Sequence, residues 1–318
     1  MTNKGFIVCM AMIISMLTTT ARAQESQTGY NFLRLPVSAH AAALGGENIT
    51  IIEDDPSLMF SNPALLSSVS DKAIGLNFMT YMAGSVVASA SYNRAVGDRA
   101  SWAASGQFVN YGSMKQTDEN NQQYGTFSAK DIAMAGYFSY MLSNRLAGGV
   151  AAKFIISYIG GYNSMAMGID LGVNYFDPDH EWSLSLVAKN LGGQIKAYDD
   201  NYDAMPIDIQ MGVSKKITHT PFRVSLTMTD LNHWNYRFLN HLSAGVDVTL
   251  SQTIWIGAGY NFRRADEMSI NDTDGGSSHG AGLSLGAGAN LNRIKINIAY
   301  GKYHVSSSSL MANVALSL

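Results

Sequence analysis

The chain has 318 residues, 47% hydrophobic and only 14% charged, with 30 glycines against 6 prolines and a formal net charge of -3. This balance excludes a disordered chain, and no basic patch of the kind nucleic acid demands is present. Apart from the first residues no apolar run reaches the ~18 residues of a membrane helix, which leaves an unusually apolar secreted β protein or a membrane β-barrel.

The first 23 residues read as a signal peptide. Lys4 supplies the positive start, "FIVCMAMIISML" the apolar core and Ala21-Arg22-Ala23 the small-x-small cleavage site. The core is too short for a spanning anchor. Cleavage after Ala23 removes Cys9, the only cysteine, so the mature chain has no disulfide, thiolate metal site or cysteine nucleophile. It also removes Lys4 and Arg22, taking 21 basic residues to 19 against 24 acidic ones, a net charge of -5.

Residues 24–72 form a segment of different character. It carries Phe32, Leu33, Leu35, Leu44, Leu58, Met59, Phe60, Leu65 and Leu66, too many large apolar groups to remain in water. Within "EDDPSLMFSNPALLS", Pro56 and Pro63 exclude a central strand or an unbroken helix. Asp55 before Pro56 is a helix-start signal, predicting a short helix over 56–60 that Asn62-Pro63 ends or kinks. A wide barrel leaves a lumen to fill, and the expected role of 24–72 is a plug inside it.

From Ala73 to Leu318 the period is two. "SMAMGIDLGVNYF" sets Met165, Met167, Ile169, Leu171, Val173 and Tyr175 against Ala166, Gly168, Asp170, Gly172 and Asn174. "HLSAGVDVTL" and "AGLSLGAGANL" repeat the pattern. Segments of about ten residues, apolar on one face and small or polar on the other, are the signature of a transmembrane antiparallel β-barrel. About fourteen occur, an even number as single-chain bacterial barrels have. They begin near Ala73, Ser85, Ser101, Asp131, Ala147, Ser164, Trp182, Asp208, Phe222, His241, Thr253, Ala281, Arg293 and Ser309. Connections after even-numbered segments are short ("VGDR", "SNR", "SQT", "NLN"). Those after odd-numbered ones are mostly long and polar, the stretch Met82–Gly84 excepted. That sorting matches periplasmic turns and external loops, and a soluble sandwich has no reason to show it.

Inward charges alternate in sign (Lys153, Asp170, Lys189, Arg223, Asp247, Lys295) and are expected to pair across the lumen, an ion path being the alternative. Tyr81, Trp102, Tyr137, Trp182 and Tyr300 are assigned to interfacial girdles. The histidines show no metal or acid–base spacing. His233 and His241 near Asp230 form the one rim cluster, and His304 precedes a serine run. The acids of "DTDGGSSHG" lack the terminal glutamate of a calcium loop. No metal, cofactor or catalytic set is expected.

An all-β barrel of about fourteen strands with Asn62-Pro63-Ala64 in an N-terminal plug resembles the FadL family of long-chain fatty-acid transporters. "YNFLRLPVSAHAAALGG", "EDDPSLMFSNPALL", "SLVAKNLGGQ" and "KYHVSSSSLM" resemble the PorV/PorQ branch of these barrels, from the type IX secretion system of Bacteroidetes. The resemblance implies an outer-membrane component of the cell-surface attachment complex. That complex includes PorV, the sortase PorU and a surface protein of PorZ type, which a PorQ-type barrel would hold where cargo is joined to lipopolysaccharide. The branch does not say which residues touch the partner. Exposed aromatics make good anchors, so the candidates are Tyr198, Tyr202, His233, Trp234 and Tyr236 in the long loops, the alternative being that they belong to the girdle or cover the mouth. Transport of hydrophobic small molecules, the FadL function, is the competing expectation, opposed by the small polar inner faces.

Overall fold

The computed structural model describes residues 28–318 except 121, 252, 273, 274, 278 and 279, with side chains left undescribed over 270–279. The signal peptide at 1–23 and residues 24–27 lie outside the described residues, as do 273, 274, 278 and 279 of the loop from Asp272 to Gly280. No described helix is long and apolar enough to cross a membrane.

Fourteen antiparallel strands close into one barrel. They are β1 (Ala73–Thr80), β2 (Val86–Val96), β3 (Ala100–Thr117), β4 (Gln123–Ser143), β5 (Leu146–Ile159), β6 (Tyr162–Asp177), β7 (Trp182–Lys196), β8 (Asp208–Lys216), β9 (Phe222–Met228), β10 (Leu242–Thr249) and β11 (Ile254–Asn261). A small hairpin, β12 (Ile270–Asp272) and β13 (Gly275–Ser277), sits apart before β14 (Leu283–Leu291), β15 (Ile294–His304) and β16 (Ser307–Ser317). Closure comes from β1 on β16, with Ala73 opposite Ser317 and Met79 opposite Met311.

Alternation does what the pleat requires. Met167, Ile169, Leu171 and Val173 are exposed on the outer face while Ala166, Asp170 and Asn174 are buried inside. The exterior is therefore apolar and the interior polar, the reverse of a soluble fold and suited to a barrel in lipid. Trp102, Trp182 and Tyr300 point outward as girdle residues should. Tyr137 does not: it is buried and meets Phe60 edge-on at 5.9 Å, because Phe138 beside it takes the outer face. Tyr81 also turns inward, to the mouth of the barrel.

Strand starts fall where the pattern puts them, with one clear exception. β4 begins at Gln123 rather than near Asp131, and β3 runs on to Thr117. The stretch expected as a long loop is a ribbon of two strands, 18 and 21 residues long, about twice what a membrane requires. The ribbon has a bulge after Asn110, where Gly112 takes φ 77. The connection at Met82–Gly84 is a short 3-10 turn, so the strand boundary there stands.

The segment from Thr28 to Lys72 runs through the barrel. It starts at the mouth, where Thr28 bridges Ala204 and Gly29 N donates to Ala204 O at 3.0 Å. It reaches the base, where Leu318 N donates to Lys72 O at 3.2 Å. Between lie a turn at Asn31–Arg34, a helix at Ala39–Ala43 capped by Ser38, and two 3-10 turns, Pro56–Phe60 and Pro63–Ser68, capped by Asp55 and Asn62. Its apolar groups (Leu44, Ile49, Ile51, Leu58, Met59, Leu65, Leu66) are almost wholly buried. In a barrel whose outer side chains face lipid, this segment supplies the core.

Candidate functional site: the filled lumen and its mouth

Glycines on the inner wall make the seat of the segment. A Cβ at Gly149 would stand 2.3 Å from the Pro63 carbonyl carbon, one at Gly172 2.1 Å from Asn62 Oδ1, and one at Gly259 2.2 Å from the Leu44 carbonyl carbon. No side chain fits there.

Polar groups of the wall then bond the segment's backbone. Asn313 Nδ2 donates to Val37 O at 3.0 Å, Ser139 Oγ to Ala64 O at 3.2 Å, and Ser243 Oγ and Asn261 Nδ2 to Gly45 O at 3.2 Å each. The irregular backbone needs these partners, since an orphaned buried carbonyl is costly. Asn62 is wholly buried: Oδ1 accepts from Ala64 N at 3.0 Å and Nδ2 donates to Ile49 O at 3.1 Å. Asn62-Pro63-Ala64 thus ends one turn, opens the next and ties both to the strand-like stretch before them.

Charges complete the fastening. Lys153 pairs with Asp170 on the neighbouring strand at 2.6 Å, and Arg223 with Asp247 at 2.9 Å. Arg223 also reaches Glu53 of the segment at 2.7 Å, and Lys295 reaches Asp54 at 2.5 Å. Pairing therefore runs between adjacent strands and from wall to segment rather than across an open lumen, because the lumen is occupied. Buried His40, stacked on Trp255 at 3.5 Å, is bonded through Nδ1 to Glu53 at 2.9 Å. Burial acts to raise the Glu53 pKa, but His40 and Arg223 outweigh it and hold the carboxyl well below the usual carboxylate range.

Little space remains. An internal cavity of about 50 Å³ lies between the segment and β3, β4, β5, β7 and β8, lined by Lys153, Lys189, Asp208 and Tyr137 among others. Benzene occupies an engineered apolar cavity of roughly 150 Å³, so this space is too small and too polar for it. A larger cavity of about 500 Å³ opens at the mouth, and Arg34, Leu35, Pro36, Gly46 and Glu47 border both.

The proposed partner-binding aromatics divide. Tyr202 and Trp234 are 66% and 58% exposed, and His233 is exposed beside Asn232. Tyr198 is half-buried, with its hydroxyl bonded to Ser157 and its pKa pushed up to about 12, chiefly by burial. Tyr236 is held inward, its ring 4.3 Å from the Arg263 guanidinium and its hydroxyl accepting from Nη2 at 3.1 Å. Of the five, Tyr202, His233 and Trp234 are the exposed ones.

The rim cluster is not an acid–base arrangement. Asp230 is taken by Arg34 and Arg263. His241 is buried under Trp234, with Nδ1 2.8 Å from the Thr229 carbonyl oxygen. His304 contacts Ser306 at 2.8 Å, and among the described residues no carboxylate pairs with it. Among the described residues no group of metal ligands converges. Arg263 and Arg264, which build the mouth with Arg34 of the segment, went unnoticed in the sequence because helix Phe262–Glu267 sits inside a stretch that reads as loop.

No protein-family model matches the chain, and no curated protein matches it. Solved structures do. The toluene transporter TodX of Pseudomonas putida aligns over 86% of this chain and 95% of its own, at 14% identity and a TM-score of 0.55. The monoaromatic hydrocarbon channel CymD covers 88% and 96%, at 12% identity and 0.57. A FadL homologue of Pseudomonas aeruginosa covers 88% and 97%, at 10% identity and 0.53. The fold is that of the FadL-type barrels. At these identities the likeness is one of fold.

Proposed function

We propose that this chain is a non-catalytic outer-membrane barrel that holds a surface partner, the role implied by its resemblance to the PorV/PorQ branch: a PorQ-type component of the type IX attachment complex. Its partners would be a PorZ-like surface protein, with PorU and PorV, at the lipopolysaccharide layer. The observation that carries this reading is the β3–β4 ribbon. β2 stops pairing at Asn110 and β5 at Ala129, with Gly160 N still donating to Ser128 O at 2.9 Å, so Ser113–Thr117 and Gln123–Phe127 have no strand neighbour beyond the ribbon itself. Two unpaired edges clear of the wall are what strand addition by a partner requires.

The second reading is passage of hydrophobic small molecules, and the fold comparisons favour it over the first: two of the matched barrels are described as carrying hydrocarbons. The polar inner wall and the 50 Å³ left beside the segment weigh against it unless the segment moves.

One experiment separates the two. Cells carrying the tagged barrel are cross-linked and its partners identified, for the parent and for variants with the ribbon, Ala197–Pro206 or Leu231–His241 replaced; Gly192–Lys196, expected as loop, belongs to β7 and is kept. Recovery of a large surface protein that the replacements lose supports the anchor. No protein partner, together with failed uptake of a hydrophobic substrate in cells lacking the barrel, puts the transporter first.

A further inference from the structure

The mouth of the barrel holds a buried guanidinium to which the described residues offer no paired counter-charge. Arg34 and Arg263 share Asp230, and Arg263 also binds Glu267 at 2.6 Å. Arg264 differs. It is 8% exposed, its Nη2 donates to Gly282 O at 3.1 Å and to Ser284 Oγ at 2.6 Å, and its guanidinium lies 4.5 Å from the Tyr303 ring centroid. Its Nε and Nη1, and the Tyr303 hydroxyl, are buried with no partner, and no carboxylate pairs with it among the described residues. Burying a guanidinium without an anion is unfavourable, and buried polar groups left open are rare.

The space before these groups is kept clear. Gly46, at φ +97, faces them, and a Cβ there would stand 3.2 Å from Tyr303 Oη and 3.7 Å from Arg264 Nη1. The adjoining cavity of about 500 Å³ is lined by Arg34, Tyr81, Tyr236, Asn261, Arg264 and Tyr303. Two carboxylates also border it. Glu267 is neutralised by Arg263, and burial, followed by Asp208, holds the Glu47 carboxyl above its usual range, which weakens its opposition to an anion.

We propose that this cavity binds a small oxyanion, a phosphate or carboxylate group on a polar body of sugar size, with Arg264 Nε and Nη1 and the Tyr303 hydroxyl as donors. Arginine suits both groups, and the rings of Tyr81, Tyr236 and Tyr303 offer faces and hydroxyls to the body. The site stands whether the barrel anchors or transports.

The test is calorimetric titration of the full mature protein in detergent with inorganic phosphate, glucose 6-phosphate, gluconate and neutral glucose. At least one of the three anions is expected to bind and glucose not. Binding by the phosphates alone names a phosphate ligand, and by gluconate alone a carboxylate. Arg264→Gln should weaken binding by roughly tenfold or more, with partial recovery in Arg264→Lys. Tyr303→Phe, which removes one hydroxyl and leaves the packing, should weaken it by a smaller factor and decides the matter if Arg264→Gln does not fold. Binding of none of the anions, equal binding of glucose, or affinity unchanged in the variants would overturn the site.

Discussion

Asn62 performs three tasks with one side chain: it caps the turn Pro63–Ser68, bonds Ile49 and fills the niche over Gly172. Asn62→Ala should therefore destabilise the barrel by about 1–3 kcal/mol, the loss of a cap plus a buried carbonyl left open, read as a lower unfolding temperature in detergent. Gly149→Leu should do more: with Pro63 backbone already in the way, it is expected to prevent the segment from seating at all. Glu53 adds a pH dependence whose sign follows from its depressed pKa. Its contribution is present above the unfolded glutamate value near ~4.3 and is lost as pH falls through the lower folded value. Thermal unfolding at neutral pH and in the acid range should show a stability loss on acidification that Glu53→Gln reduces. Much at this scale was legible. Asp55-Pro56 and Asn62-Pro63 announce their turns, and the inward charges are plain from parity. Their partners were not, because Lys295 and Asp54 are brought together only by the barrel closing around a distant segment. Nor was the direction of Tyr137, since Tyr137-Phe138 offers an aromatic to either face.

Strands announce themselves where lipid demands an apolar face and fall silent where it does not. This is why thirteen starts are near their expected places while β4 begins early: from Gln123 to Ser128 both faces are in water, and nothing forces alternation. The same reasoning predicts that replacing residues 114–127 by a tight turn leaves the barrel intact. A heat-dependent shift in gel mobility is expected of variant and parent alike, and the unfolding temperature should change little, because Met114–Thr117 and Gln123–Phe127 pair only with one another. Retention of a surface partner should be lost. Exposed Tyr202 and Trp234 belong to other loops, and their replacement by alanine together is expected to weaken retention by roughly tenfold or more if they lie in the interface.

For the whole molecule, the lumen's contents decide what the barrel can pass. A protein lacking residues 28–68 is expected either to fail to fold or to form a wide conducting pore, whereas the full chain should be nearly silent in a planar bilayer. A full chain as conductive as the truncated one would show that the segment does not block. Closure by β1 against β16 adds a constraint of time. The strand that seals the wall is made after the other strands of the barrel, while the residues that fill the lumen are made before any of them. The apolar side chains of the early segment have their full cover only once the final hairpin has paired. Content thus precedes container in the order of synthesis, and anything that delays the sealing strand is expected to prolong the exposure of an apolar segment.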